Sequence, residues 1–141
     1  MKTPLKIKLE GHLRIHNIDT GEVLFDDHND FNLANFKRMA ASRLASSAEA
    51  NWEGITGMEY QVDTVNFNTV PIDEYLAEGN EVTFITRIGP DFNDTVTNGN
   101  IDEVRLVVDA GDATNFIPNV DVNHQAGENL QVTWKVKYHL I

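Results

Sequence analysis

The stretch Leu130–Ile141, LQVTWKVKYHLI, decides the fold class of this chain. Apolar and aromatic residues occupy every second position from Leu130 to Leu140, with Trp134 in the middle, and polar residues occupy the positions between them. Alternation with a period of two is typical of a β-strand that buries one face. We therefore expect a long final strand that packs against a sheet formed by earlier segments, with Trp134 as an anchor of the core.

A second alternating stretch runs from Leu5 to Ile15 and predicts a long first strand. The series of apolar residues on one face of this strand is interrupted at Gly11, where we expect a kink or bulge because glycine has no side chain to pack. The sequence from Asn17 to Gly21 favours a turn that ends in a left-handed residue. Glu22–Phe25 then returns as the partner strand of an N-terminal hairpin. The opposite parity of the first strand is basic and rich in histidine: Lys6, Lys8, His12, Arg14 and His16.

The segment after this hairpin is predicted to leave the strand conformation. Residues 26–31 are polar, and the carboxylates of Asp26, Asp27 and Asp30 suit the positive end of a helix dipole. Apolar residues at helical spacing then predict one amphipathic helix over Asn32–Ser47, lying on an open side of the sheet.

Strand periodicity returns in the second half of the chain. Strands are predicted at residues 58–62, 82–88 and 101–109, with a weak edge strand at 116–122 because it contains Pro118. Residues 66–80 are expected to be looser, with a short turn at 73–77. Together these elements predict a mainly β fold, an antiparallel β-sandwich of about seven to eight strands with one helix packed on it, in a single domain spanning residues 1–141.

Charge is distributed unevenly along the chain. The net charge is −11, but residues 1–44 hold seven basic and six acidic residues, whereas the remainder holds four and sixteen. The acidic remainder is explained by solubility alone, or by a surface that must not adhere to DNA or that seeks a basic partner. Acidic surfaces repel the phosphate backbone, so we expect no direct binding to duplex DNA.

Cysteine is absent, and no apolar run approaches the ~18 residues that a membrane-spanning helix needs. The lack of cysteine excludes disulfides and thiolate metal sites and is compatible with assembly in a reducing cytoplasm. We expect no association with a membrane.

Metal-binding patterns in the sequence are weak. On a strand, His12 and His16 lie ~13 Å apart and cannot share one ion. Asp91, Asn93 and Asp102 are weak candidates for a calcium loop, because Val96 stands where such a loop needs glycine and Asp102 is not the usual glutamate. A plain polar loop is the alternative interpretation.

Patterns that would indicate an enzyme are missing. The serines lack a Gly-x-Ser-x-Gly elbow, and no glycine-rich phosphate loop is present. The adjacent carboxylates at 73–74 and 102–103 have no predicted pocket around them. We therefore expect a protein without catalytic activity or a cofactor.

Five short motifs follow one another along the chain. These are the strand motif TGEVL, a polar His-Asn pair, an alanine-rich predicted helix, an IDEVRL strand and a closing strand with a central tryptophan. They lie at Thr20–Leu24, His28–Asn29, Asn32–Leu44, Ile101–Leu106 and Leu130–Tyr138. In this order they resemble a group of small virion structural proteins of tailed bacteriophages.

The resemblance implies a protein that is assembled in the host cytoplasm and resides in the virion. It implies a multi-copy component of the tail or the head–tail neck, in contact with copies of itself and with other virion proteins. A capsid-surface decoration protein and a carbohydrate-binding module at a fibre base are the alternatives. The basic parity of the first strand is the candidate contact surface, and its backbone would add a second contact if that strand lay at a sheet edge.

Overall fold

The computed structural model describes residues 7–30, 54–63, 66–89, 99–108, 113–125 and 127–140. The helix predicted over Asn32–Ser47 lies outside these residues. The described residues form ten strands: β1 Ile7–Asn17, β2 Val23–Asp30, β3 Ile55–Val62, β4 Asn66–Pro71, β5 Glu74–Glu78, β6 Glu81–Ile88, β7 Gly99–Val108, β8 Ala113–Ile117, β9 Val122–His124 and β10 Leu130–Leu140.

The strands form two antiparallel sheets. The first sheet has the order β2-β1-β10-β6-β5, and the second has the order β4-β3-β7-β8, with β9 also paired to β7. The predicted mainly β, antiparallel class is confirmed. Among the residues that the structure describes, no helix is long and apolar enough to cross a membrane.

Both sheets contribute side chains to one hydrophobic core. Trp134, Leu13 and Ile15 come from the first sheet, and Tyr60 and Leu106 come from the second; all five are fully buried. The hydroxyl groups of Tyr60 on β3 and Thr86 on β6 form a buried hydrogen bond between the two sheets. The prediction that Trp134 anchors the core is confirmed by its complete burial.

The β1–β2 turn follows the local chemistry of its sequence. The side-chain oxygen of Asn17 accepts hydrogen bonds from the backbone N–H groups of Asp19 and Thr20, at 2.9 and 3.1 Å. Gly21 has a φ of 76°, and its N–H donates to the carbonyl of Asn17 at 2.8 Å. The predicted turn with a left-handed end and the predicted hairpin are both confirmed.

The predicted irregularity at Gly11 is wrong. The pairing of β1 with β10 continues without a shift through Gly11 and Val136. The register shift in the hairpin lies between Ile15 and His16 instead. A buried glycine in a central strand can keep its register because both neighbours hold its backbone in the ladder.

Residues 26–30 are strand and not the irregular helix-leading segment that the sequence predicted. They pair with β1 from Glu10↔Asp30 to Arg14↔Asp26. Asp26 and Asp27 therefore do not begin a helix, and their carboxylates are exposed on an edge strand.

Three other predicted boundaries also change. The turn predicted at 73–77 is strand β5, and the looser stretch before it contains β4. The strand predicted at 116–122 is divided, because β8 ends at Ile117 and β9 begins at Val122, with Pro118 between them. β8 is the outermost strand of its sheet, as the proline suggested.

Candidate functional site

Strand β1 lies inside the first sheet, between β2 and β10. From Glu10 to His16 its backbone is therefore paired on both sides, and contact with a neighbouring copy through a free strand edge is excluded there. The side chains of its polar parity still lie on the outer face of the sheet. Of the predicted contact residues, Lys6 is outside the described residues, and Lys8 lies in β1 without a described side chain.

The remaining three predicted contact residues lie beside polar residues of β10. The register pairs His12 with Lys135, Arg14 with Thr133, and His16 with Gln131. Together with Gly21, these six residues line a depression of about 280 Å³. We call this depression the basic groove.

Three basic residues of the groove are without a described partner. Within the described part of the chain, the side chains of Arg14, His16 and Lys135 have neither a hydrogen bond nor an ion pair. The arginines elsewhere differ in this respect: Arg87 contacts Glu74 at 2.7 Å, and Arg105 contacts Glu59 at 3.3 Å and also contacts Glu103. Basic residues without a described partner thus lie together at one place on a strongly acidic chain.

A carboxylate of β2 borders the groove. His12 donates a hydrogen bond from Nε2 to Oδ1 of Asp26, and its ring stacks on that of His28 with centroids 4.3 Å apart. The hydrogen bond from His12 has the largest effect and lowers the pKa of Asp26. Desolvation comes next and raises that pKa, and the nearby His12, Arg14 and His28 each lower it by a smaller amount. The groove therefore stabilises a carboxylate in its charged form.

The β10 half of the groove was not part of the predicted site. Gln131, Thr133 and Lys135 were recognised only as the polar parity of the final strand. Their position beside His12, Arg14 and His16 depends on the pairing of two strands from opposite ends of the chain. The similar lengths and shared alternation of the two strands are the signal that would have suggested this pairing.

A second depression, of about 620 Å³, is acidic. Its carboxylates include Asp102, Glu103 and Asp121. Asp102 lies in β7 and accepts a hydrogen bond from Nδ2 of Asn100 at 2.6 Å. The other calcium candidates, Asp91 and Asn93, lie outside the described residues, and the residues that are described contain no group of three or more His, Cys, Asp or Glu side chains arranged for a metal ion.

Comparison of the chain with protein-family models, with curated proteins and with solved structures finds no match. The function is therefore inferred from the motifs in the sequence and from the geometry of the basic groove.

Proposed function

We propose that this chain is a structural virion component of a tailed bacteriophage, a multi-copy assembly protein of the tail or the head–tail neck. The order of the sequence motifs supports this class. The observation that carries the proposal is the basic groove, an open surface on which Arg14, His16 and Lys135 have no partner among the described residues although the chain carries twice as many acidic as basic residues.

In this proposal the groove receives an acidic surface of a neighbouring subunit. Arg87 and Arg105 are neutralised within the chain, so they contribute little attraction toward a partner. Arg14 and Lys135 of the groove have no ion pair with a described residue, and a second copy of a chain with a net charge of −11 supplies carboxylates in abundance. Complementary charge of this kind fixes orientation and increases the association rate more than it increases affinity.

The complete protein in this proposal is an antiparallel β-sandwich with the helix of Asn32–Ser47 packed on it, in one domain over residues 1–141. It resides in the virion after assembly in the host cytoplasm. It has no catalytic activity or cofactor, and it does not bind duplex DNA or a membrane.

The two alternative functions differ in what they require of the surface. A sugar-binding module needs an exposed aromatic platform. Tyr75 is the one aromatic among the large hydrophobic residues found exposed in the described part of the chain, and its hydroxyl donates to the carbonyl of Ile55 at 3.0 Å. A capsid-surface decoration protein has the same requirements as a tail component, and only the location in the particle distinguishes them.

The test compares two lysines of the same strand. Lys135 lines the groove, whereas Lys137 is exposed on the same face one pair of residues further along β10 and does not line it. Particles are assembled with Lys135→Gln or Lys137→Gln, and the content of this chain per purified particle is measured together with its location by electron microscopy.

We expect Lys135→Gln to reduce incorporation and Lys137→Gln to leave it unchanged, with both isolated variants melting at the wild-type temperature. The difference between Lys135→Gln and wild type should be smaller at high salt, because exposed charge pairs are screened and the wild-type lysine then contributes less. Equal incorporation of both variants would exclude the groove as the contact surface, and absence of the wild-type chain from purified particles would refute the virion assignment.

A further inference from the structure

We propose that the basic groove is a binding site for a single oxyanion group, a carboxylate or a sulfate- or phosphate-type group. The proposal rests on the proposed function in one respect, because it names the chemical group that the partner presents to the basic groove. The binding site itself belongs to the isolated chain.

The spacing of the groove side chains suits one such group. Residues of one parity on a strand are ~6.8 Å apart, and directly opposite residues of paired strands are ~5 Å apart. A group placed over Arg14 is therefore within reach of His16 along β1 and of Lys135 on β10. The guanidinium group of Arg14 offers two parallel N–H donors, which match the two oxygens of a carboxylate or of a tetrahedral oxyanion.

The neutral residues of the groove add a directed donor. Gln131 donates a hydrogen bond from Nε2 to the hydroxyl oxygen of Thr133, at 3.2 Å. Because that oxygen already accepts a bond, the O–H of Thr133 is available to donate. Thr133 is directly opposite Arg14, so its hydroxyl group and the guanidinium group flank the same position.

The size of the groove limits the ligand. A volume of about 280 Å³ equals roughly nine water molecules at ~30 Å³ each. Pockets for drug-sized molecules occupy ~300–1,000 Å³ and enclose most of the ligand. The groove therefore has room for one oxyanion group with part of its hydration shell.

The Asp26 contact shows that this surface recognises a carboxylate. The carboxylate of Asp26 contacts His12 beside the groove and lies opposite Arg14 in the β1–β2 ladder, whereas Arg14, His16 and Lys135 have no hydrogen bond or ion pair with a described residue. An external oxyanion would contact Arg14, His16 and Lys135 in the way that Asp26 contacts His12.

The experiment titrates the ¹⁵N-labelled full chain with sodium sulfate at constant ionic strength maintained with sodium chloride, and follows backbone amide shifts by NMR. Sulfate is chosen because it remains a dianion throughout the neutral pH range. We expect saturable shifts confined to residues around the groove on β1 and β10. Arg14→Gln and Lys135→Gln should each weaken binding about three- to fivefold, the upper part of the range for losing one exposed charge contact, while the matched control Lys137→Gln should stay within about twofold of wild type.

Shifts that do not saturate, or equal weakening by Lys135→Gln and Lys137→Gln, would overturn the proposal in favour of diffuse attraction to a charged face. The source of the oxyanion is separated by a second titration with acetylated hexaglutamate. Tighter binding of the peptide than of sulfate would identify protein carboxylates as the ligand, and the opposite order would identify a free anion.

The two proposals fail separately. Sulfate binding that requires Arg14 and Lys135, combined with normal incorporation of Lys135→Gln into particles, would retain the oxyanion site and refute its role in assembly. Loss of incorporation without saturable binding of either probe would retain the assembly surface and refute the oxyanion site.

Discussion

Replacement of Trp134 by alanine tests the centre of the fold. Trp134 is completely buried on β10, and the register places it between Leu13 of β1 and Phe84 of β6. It therefore lies in the middle strand of the five-stranded sheet, where strands from both ends of the chain meet. Truncation leaves a cavity that these paired strands cannot close without disturbing their ladders.

The expected loss follows from the buried area of the indole. A buried aromatic side chain removes ~150–250 Å² from water, which at ~25 cal/mol per Å² corresponds to about 4–6 kcal/mol. A denatured chain that is partly compact reduces this by ~10–40%. We therefore expect Trp134→Ala to lower the free energy of unfolding by about 3–5 kcal/mol, in the range measured for such truncations.

The indole N–H gives a second, graded variant. This group is buried and has no hydrogen-bond partner among the described residues. An unsatisfied buried donor costs ~1–3 kcal/mol, so Trp134→Phe removes that penalty while it loses part of the apolar area. We expect Trp134→Phe to lower the free energy of unfolding by roughly 1–2 kcal/mol. This is clearly less than for the alanine variant, because phenylalanine keeps an aromatic ring in the core and alanine does not.

The assay is urea unfolding followed by far-ultraviolet circular dichroism, because removal of Trp134 changes the fluorescence signal. Lys135→Ala, at the adjacent exposed position, is the control and should stay within about 0.5 kcal/mol of wild type. A loss below about 1 kcal/mol for Trp134→Ala, with an unchanged dependence on urea, would place the indole outside the core and refute the argument.

Three further predictions concern titration and ligands. Burial raises the pKa of the Tyr60 phenol, so stability should be intact below pH ~10 and fall above it by up to ~1.4 kcal/mol per pH unit as the unfolded chain ionises, and Tyr60→Phe should lack this component in urea melts at pH 9–11. Asp26→Asn should strengthen sulfate binding in the NMR titration, because it removes the carboxylate that borders the basic groove; weaker binding would mean that Asp26 instead positions His12 for the ligand. Treatment with a chelator should leave the melting temperature unchanged, and a decrease of several degrees would support a calcium site involving Asp91, Asn93 and Asp102.

The strands that the sequence predicted are those with one dry face. β1 and β10 alternate because one face packs into the core, and this constraint is visible in each strand alone. β6 and β7 also have an apolar face in the core, and they bury some residues of the opposite face, such as Ile85 and Val107. The sequence predicts a turn where β5 lies because all five residues of β5 are exposed, so neither face of the strand requires apolar side chains. The polar end of β2 was missed for a related reason, since its strand conformation is maintained by the ladder with β1 and not by burial.

Half of the candidate site was predictable for the same reason. The cationic parity of β1 is local, so His12, Arg14 and His16 were identified from spacing. Their partners on β10 lie more than a hundred positions away in the sequence, and strand order is a property of the assembled sheet. Propensity and periodicity describe individual strands and do not specify which strand lies next to which.

The alternation that builds the core also separates stability from binding. Along β10, Trp134 is directed into the core, while Thr133 and Lys135 on either side of it lie on the outer face; along β1, Leu13 is similarly placed between His12 and Arg14. Because the two strands are in register, the buried pair and the groove residues occupy the same stretch of sheet on opposite faces. Core truncation at Trp134 should therefore reduce stability, whereas Lys135→Gln should reduce sulfate binding and leave the melt unchanged. A variant of Lys135 that lost both together would show that the groove supports the sheet and that its cations are not free for a ligand.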